Sequence, residues 1–109
     1  MSTLYKESVA IASDLRPLVT QLMHRNPELG RRLKRASDEA PEHLAESMCL
    51  TGRGRRHELE AARAALREVE ACVRAALGAG HLKERDRALE ARLGELLRRV
   101  AEPLALRSA

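Results

Sequence analysis

One apolar stripe in the second half of the chain constrains the fold more than any other feature. Its members recur alternately three and four positions apart: Leu59, Ala62, Leu66, Val69, Val73 and Ala76. This spacing keeps them on one face of an α-helix, whereas a half-buried strand would alternate with a period of two. The stripe therefore predicts a helix from about Arg55 to Leu77, ended by Gly78 and Gly80.

A second amphipathic helix is predicted from Pro27 or Glu28 to about Leu50, since proline is favoured in the first helical turn. Its apolar face consists of Leu33, Ala36, Ala40, Leu44 and Met48. Pro41 lies inside this helix and predicts a kink, because proline removes a backbone donor and clashes with the preceding turn. Residues 51–54 then form a turn, in which Gly52 and Gly54 can supply positive φ.

The N-terminal region predicts a first helix from Leu4 to Arg25, which Ser2 or Thr3 could cap and which Asn26-Pro27 ends. Pro17 lies inside it, and the continuous stripe favours one kinked helix over two short ones. The members of that stripe are Val9, Ala12, Leu15, Leu18 or Val19, and Leu22.

The C-terminal region predicts a fourth helix from about Lys83 to Ala101, stopped by Pro103. Residues 104–109 are then a frayed end or a short extension. The inner face of this helix consists of Leu82, Leu89, Leu93, Leu96, Leu97 and Val100.

Four helices joined by short turns predict an all-α fold, a left-handed, antiparallel up-down-up-down four-helix bundle that forms one domain over residues 1–109. Aromatic residues make up only 1% of the chain. A core without them suits closely packed helices better than β-sheets. Such a core is small, so we expect partner subunits to cover apolar surface at Leu104, Leu106 and the alanine-rich sides of the third helix.

The net charge of +4 and the pI of about 9.7 permit nucleic acid or another anionic surface as a partner. Cys49 and Cys72 form no CxxC pair, and we interpret them as small buried thiols in a reducing compartment. The N-terminus does not read as a signal peptide, and no apolar run approaches the length of a membrane span. The expectation is a cytoplasmic protein without a membrane partner.

Two arginine groups flank the second helix, and a third continues along the third helix. They indicate a phosphate-binding surface, and the scarcity of aromatic side chains favours phosphate contacts over base stacking, with little sequence preference. The alternative is a solvated face in which Glu60, Glu68 and Glu70 pair with the arginines. The candidate residues are Arg31, Arg35, Arg53, Arg55, Arg56, Arg63, Arg67 and Arg74.

No catalytic or metal-binding pattern accompanies these arginines. The four histidines lack metal-ligand spacing, and His43, Glu46 and Cys49 would need a second helix to complete a metal site. There is no nucleophile elbow and no P-loop, since GRGRR lacks the strand that a P-loop requires. We expect no enzymatic activity, no metal and no cofactor.

Several short runs occur in a characteristic order. In the second helix, Arg35-Ala36 is followed by Glu39-Ala40-Pro41 and by His43-Leu44-Ala45-Glu46-Ser47. These runs resemble the arginine-alanine pair, the Ser-Ile-Pro step and the Asn-Ile-Ala-Glu-Gly run of a family of four-helix bundle proteins. That family includes the rRNA intervening-sequence proteins and the accessory variability determinants of diversity-generating retroelements.

The resemblance continues beyond the second helix. Gly52-Arg53 matches the family's Gly-Arg turn, Glu68 follows the small pair Ala64-Ala65, and Ala79-Gly80-His81-Leu82 matches the closing Leu-Gly-Tyr-Leu-like step. The resemblance implies a homopentamer that binds DNA or RNA through basic surfaces, with a reverse transcriptase as a further partner. The alternative function is a structural or scaffolding oligomer that binds another protein.

Overall fold

The computed structural model describes residues 3–105, which form four α-helices. They are α1 (Thr3–Arg25), α2 (Pro27–Met48), α3 (Gly52–Gly78) and α4 (Arg87–Ala105). The predicted all-α four-helix bundle is confirmed, and none of these helices combines the length and apolar character that a membrane crossing requires. The proposed cap Ser2 and the predicted contact residue Leu106 lie outside the described residues.

Contacts between the helices show how they run relative to each other. His43 and Arg32 of α2 contact Glu58 and Glu68 of α3, respectively, so residue numbers rise along one helix as they fall along the other. The same holds for α1 and α4, where Thr3 contacts Arg99 and Asp14 contacts Arg92. These neighbouring helices are therefore antiparallel.

The helix ends follow from local sequence chemistry. The Asn26 side chain caps α2 by accepting a hydrogen bond of 3.2 Å from the Leu29 amide, and Pro27 occupies the first turn. At the end of α3, Gly80 adopts φ 74°, and the His81 amide donates to the Ala76 carbonyl at 2.9 Å. This is the Schellman arrangement, which requires a left-handed residue after the helix and which glycine adopts without strain.

The bounds of α3 and α4 differ from the sequence-based expectation. α3 begins at Gly52, because Gly52 turns the chain with φ 57° and the helix follows at once. α4 begins at Arg87, because Asp86 caps it: its Oδ1 accepts from the Leu89 amide at 2.9 Å. The prediction that Pro103 stops α4 was wrong, since the helix continues to Ala105. The pyrrolidine ring removes one backbone donor there, so the helix continues with one hydrogen bond fewer.

The core is built from leucine, valine and alanine. All six members of the apolar stripe in α3 are buried, as are Leu33, Ala36, Ala40 and Leu44 of α2. In α1, Leu15 and Leu22 are buried as predicted, but the start of the stripe was wrong. Ile11 is 2% exposed and belongs to the core, whereas Val9 is 42% exposed. Pro17 and Pro41 lie within continuous helices, which confirms that α1 is a single helix.

Three predicted environments were wrong. Leu104 is 6% exposed, because the last turn of α4 packs on the core, so it offers no surface to a partner. Met48 is 48% exposed, because it is the last residue of α2 and reaches past the packed helices. Cys49 is exposed in the following turn, whereas Cys72 is buried as expected, and both thiols are free.

Candidate nucleic-acid interface

Three of the candidate arginines lie together at one end of the bundle. Arg53, Arg55 and Arg56 occupy the first turns of α3, not the preceding loop, because the helix already begins at Gly52. Together they line a depression with Pro103 and Leu104 of α4. We call Arg53, Arg55 and Arg56 the basic end. The α2–α3 connection is short, and α4 runs antiparallel to α3. The first turns of α3 therefore lie beside the ends of α2 and α4.

Hydrogen bonds spread the guanidinium groups of the basic end over neighbouring elements. Arg55 Nη1 donates to the Ser47 carbonyl at 3.4 Å, over the end of α2. Arg56 Nη2 donates to the Leu104 carbonyl at 2.9 Å, over the end of α4. Arg53 is exposed. A guanidinium has five N–H donors, so Arg55 and Arg56 keep donors for an external anion.

The basic end meets helix ends of both signs: Arg55 and Arg56 donate to carbonyls at the C-termini of α2 and α4, where a cation is stabilising, whereas the N-terminus of α3 disfavours a cation. The N-terminus of a helix carries a partial positive charge, so arginines there are destabilising and carboxylates stabilising. In the described structure, the first turn of α3 contains no acidic residue, and Thr51 makes no side-chain capping hydrogen bond. An anion bound at this end would meet both the helix dipole and three guanidinium groups.

A line of arginines continues from the basic end along α3. Arg56, Arg63, Arg67 and Arg74 fall within roughly 40° of one another at 100° per residue, over a length of about 27 Å. Arg67 and Arg74 are exposed, and Arg63 is half-buried. We call these four residues the arginine stripe. It runs along the side of α3 that faces away from α2.

Arg31 and Arg35 lie apart from this line. Both are exposed on α2. Arg35 lines a groove between α2 and α3 with Ala61, Ala64 and Glu68. Ala61 and Glu68 lie roughly 120–140° from Arg56 and Arg74 on the helical wheel, so this groove and the arginine stripe are on different sides of α3. The structure therefore brings six of the eight candidates into one connected surface and leaves Arg31 and Arg35 on another.

Several arginines elsewhere in the bundle are paired with carboxylates. Arg32 contacts Glu68 at 2.9 Å, and Arg92 contacts Glu7 at 3.0 Å. Arg85 donates to both oxygens of Glu90, and these hydrogen bonds raise the pKa of Arg85. In each case a carboxylate offsets the charge of the guanidinium group.

Most of the candidate arginines differ in this respect. Arg74 approaches Glu70 at 3.9 Å. Within residues 3–105, no ion pair with a carboxylate forms at the other seven candidates: Arg31, Arg35, Arg53, Arg55, Arg56, Arg63 and Arg67. Of the carboxylates expected to neutralise them, Glu68 is engaged by Arg32.

The histidine and cysteine side chains do not assemble into a metal site in the part of the chain that the structure describes. His43 instead bridges two helices, with its Nδ1 2.8 Å from Glu58 Oε1. Cys72 is buried near Glu68, and burial together with that carboxylate raises the pKa of its thiol. A raised pKa keeps this thiol protonated near neutral pH, and therefore poorly nucleophilic.

Sequence reasoning missed two exposed apolar side chains near the α2–α3 connection. The helical pattern predicts Met48 in the core and Leu50 as the end of α2, but both are exposed. The available signal was the position of Met48 at the end of the predicted stripe, shortly before Thr51-Gly52, where the helix has no further turn to pack.

Comparison of this chain with protein-family models, with curated proteins and with solved structures finds no match.

Proposed function

We propose that this protein is a non-enzymatic, oligomeric accessory protein that binds nucleic acid through the basic end and the arginine stripe. The observation that carries the proposal is that the arginines fall into two groups: some form ion pairs with carboxylates, and others do not. Arg85, Arg92 and Arg98 are held by carboxylates. No carboxylate of residues 3–105 pairs with the three arginines of the basic end, and the first turn of α3 contains no acidic residue. A polyanion would supply the missing negative charge.

Phosphates are the groups that this surface fits best. Arginine forms paired hydrogen bonds with phosphate oxygens, and a stripe about 27 Å long spans several phosphates of one strand. Tyr5 is the one aromatic residue of the chain, so base stacking contributes little. The expected binding is sequence-tolerant and strongly dependent on salt.

The oligomer in this proposal is a homopentamer, as the family resemblance implies. Leu104 is buried and no longer supports a subunit contact, so the remaining support is the alanine-floored groove between α2 and α3. Small side chains there let another helix approach closely. Repetition of the basic surface around a ring would add weak sites through avidity. By the same resemblance, we propose a reverse transcriptase as a protein partner. We also propose a cytoplasmic location, as the sequence reading indicates.

The test is a fluorescence-anisotropy titration of labelled duplex DNA and RNA between about 50 and 200 mM NaCl. The variant R53A/R55A/R56A is compared with R16A/R25A/R87A, which removes the same charge from exposed arginines outside the proposed surface. We expect the first variant to bind more weakly on every sequence. On duplex DNA, its log–log salt slope should be shallower by roughly 0.9 for each phosphate that the variant no longer neutralises.

The control variant should retain affinity close to that of the wild type. Equal weakening by both triple variants would show that net charge alone governs binding and would remove the basic end from the site. No binding by the wild type at low salt would reject the proposed function.

The second candidate function is a scaffold that binds another protein. The observation in its favour is the same alanine-floored groove, which Arg32–Glu68 and His43 border with paired charges. A protein partner that no longer binds after substitution in that groove, with nucleic-acid binding absent, would favour this function.

A further inference from the structure

The side of the bundle formed by α1 and α2 carries most of the large apolar side chains that remain exposed. Four are exposed within residues 3–105, and Val9, Met23 and Met48 are the three on this side. Val9 lines the surface groove between α1 and α2, and Met23 lies against Gly30. Met48 follows Gly30 by about five helical turns, so it projects from the same side of α2. The described chain leaves this side, which we call the α1–α2 face, uncovered.

Building on the oligomer proposed above, we propose that the α1–α2 face of one copy packs on the alanine-floored groove between α2 and α3 of the next copy. Each copy then presents two different faces, one to each of its neighbours. A ring of five requires such a contact, because a twofold contact between like faces joins copies only in pairs. The groove is one half of the contact, and the α1–α2 face is the other.

The arrangement of the helices sets the two faces at an angle that can close a ring. α2 and α4 each pack on α1 and on α3, so the four helices form the corners of a square. The α1–α2 face and the groove are adjacent sides of that square, roughly 90° apart. A ring of five needs about 108° between the two contact faces, whereas opposite sides would build an open filament. α2 then lies nearest the ring axis, and the arginine stripe remains on the outside.

The two faces also match in length and position. Gly30 lies against Met23, and Val9 lies about 21 Å further along the α1–α2 hairpin. The groove follows α2 from Arg32 to His43, a length of about 17 Å that starts near the same end of α2. A closed ring has no rise from one copy to the next, so upright copies meet at equal heights.

The available area is sufficient for a stable contact. One side of a bundle that measures 46 × 23 × 20 Å offers about 900 Å², and a standard interface buries about 800 Å² on each partner.

The surface of α1 on this side is apolar beyond what the core uses. Val9, Ala12, Val19 and Met23 fall within roughly 80° of one another on the helical wheel. None of the four is fully buried, whereas Ile11, Leu15 and Leu22 form the core face of α1. Arg16 lies within this second stripe, and its alkyl part can cover apolar surface while its guanidinium stays in water.

The groove has the small side chains that such a helix needs. Ala36 of α2 and three alanines of α3, Ala61, Ala64 and Ala65, line it, so its floor consists of methyl groups. Small residues let helix backbones approach closely. The bulkier side chains of the second stripe then meet a recessed surface.

Charges at the edges of the two faces are complementary. Asp38 lines the α1–α2 face, and Arg35 lines the groove on the other side of α2. Where α2 of one copy lies beside α2 of the next, Asp38 of the first faces Arg35 of the second, with a difference in height of about 4.5 Å. Lys34 contacts one oxygen of Asp38, Oδ2, and a carboxylate can accept from further donors. The contact supplies a carboxylate to Arg35, which lies apart from the proposed nucleic-acid surface.

The other two sides of the bundle fit a subunit contact less well. The side formed by α3 and α4 carries the arginine stripe, whose like charges resist close packing. On the side formed by α1 and α4, Arg92 contacts Glu7 at 3.0 Å and Asp14 at 2.6 Å, so polar groups already bridge the two helices.

The first experiment maps the contact with single cysteines. Ala12 lies on the α1–α2 face and Ala61 in the groove, at nearly the same height along the bundle. The variants A12C and A61C, both in a C49S background that removes the exposed native thiol, are co-expressed with tags of different mass. A short bismaleimide should join A12C to A61C as the main product, because contact between different faces keeps like positions apart.

The double variant A12C/A61C should give a ladder of joined chains that ends at five. The control pair is A12C with A91C, since Ala91 is exposed on α4, outside both faces. These two variants should not be joined to each other.

The second measurement is the mass of the oligomer by light scattering. Met23→Gln places a polar side chain of similar length on the α1–α2 face and should lower the mass below that of five copies. Leu50→Gln in the α2–α3 turn is the matched control, since both side chains are 39% exposed, and it should leave the mass unchanged. Circular dichroism checks that each variant is folded.

Self-joining of A12C or of A61C as the main product would overturn the inference, because it shows a contact between like faces. So would a wild type with the mass of five copies in which A12C and A61C are not joined, and the proposed oligomer would then stand on other faces. A wild-type monomer would reject the proposed oligomer and this contact together.

Discussion

Gly30 of α2 lies directly against the backbone of Met23 in α1. A Cβ atom added at Gly30 would come within 3.0 Å of the Met23 amide nitrogen and 3.2 Å of the Leu22 carbonyl carbon. Backbone atoms cannot move aside as the end of a side chain can, so this glycine sets the spacing of the α1–α2 hairpin.

Gly30→Ala should therefore destabilise the bundle. We expect the free energy of unfolding to fall by about 1–2 kcal/mol, because overpacking outweighs the gain in helix propensity. The matched control is Gly94→Ala in α4, where the new Cβ meets nothing within 4 Å. That change should raise the free energy of unfolding by about 0.5–1 kcal/mol. Urea denaturation followed by circular dichroism measures both, and equal shifts would contradict the close approach.

Arg53→Glu should raise the stability of the fold and lower its affinity for DNA. A carboxylate in the first turn of α3 interacts favourably with the helix dipole, so the free energy of unfolding should rise by about 0.3–1 kcal/mol at low ionic strength. Affinity for duplex DNA should fall, since attraction to a phosphate becomes repulsion. Denaturation and anisotropy on the same preparation test this. A variant that is more stable and binds as tightly as wild type would remove Arg53 from the site.

The two thiols should differ in reactivity. Burial raises the pKa of Cys72, which keeps its thiol protonated and shielded at neutral pH, whereas Cys49 is exposed. Iodoacetamide at pH 7.5 should label the native protein once, at Cys49, and label Cys72 only in denaturant. Peptide mass spectrometry identifies the site, and rapid labelling of native Cys72 would contradict its burial.

Ala64→Gln should weaken the proposed oligomer. Ala64 lies in the groove between α2 and α3, and glutamine adds bulk there without disfavouring a helix. Light scattering should show a mass near five times 12.1 kDa for the wild type and a smaller mass for the variant. Ala91→Gln on the exposed face of α4 is the control and should leave the mass unchanged. A wild-type monomer at high protein concentration would reject the oligomer.

Glu90→Gln should change the dependence of stability on pH. Hydrogen bonds from Arg85 lower the pKa of Glu90, so the ionised carboxylate stabilises the folded state above the pKa it has when unfolded. That contribution is lost as the pH falls through the lowered pKa. At pH 7 the wild type should be more stable than E90Q, and the difference should shrink below about pH 4. A difference that stays constant down to pH 2 would contradict the assignment.

Local sequence was sufficient to predict the helices and the whole core face of α3. The apolar residues from Leu59 to Ala76 recur with the period of an α-helix, and the helix that carries them is uninterrupted. Their pattern therefore identifies the buried face of α3 from the sequence of that helix alone. The helix ends at Asn26 and Gly80 could also be predicted, because each depends on backbone contacts within a few residues.

The tertiary structure decided what depends on neighbouring elements. Ile11 and not Val9 is buried because α2 and α4 together determine which side of α1 is covered. Leu104 is buried because α4 runs through Pro103 and packs back onto the core. Which arginines share a surface also depends on helix packing: Arg56 reaches α4, whereas Arg35 faces the groove on the other side of α3. Helical period is a property of consecutive residues, but burial and charge pairing depend on groups that the chain brings together from distant positions.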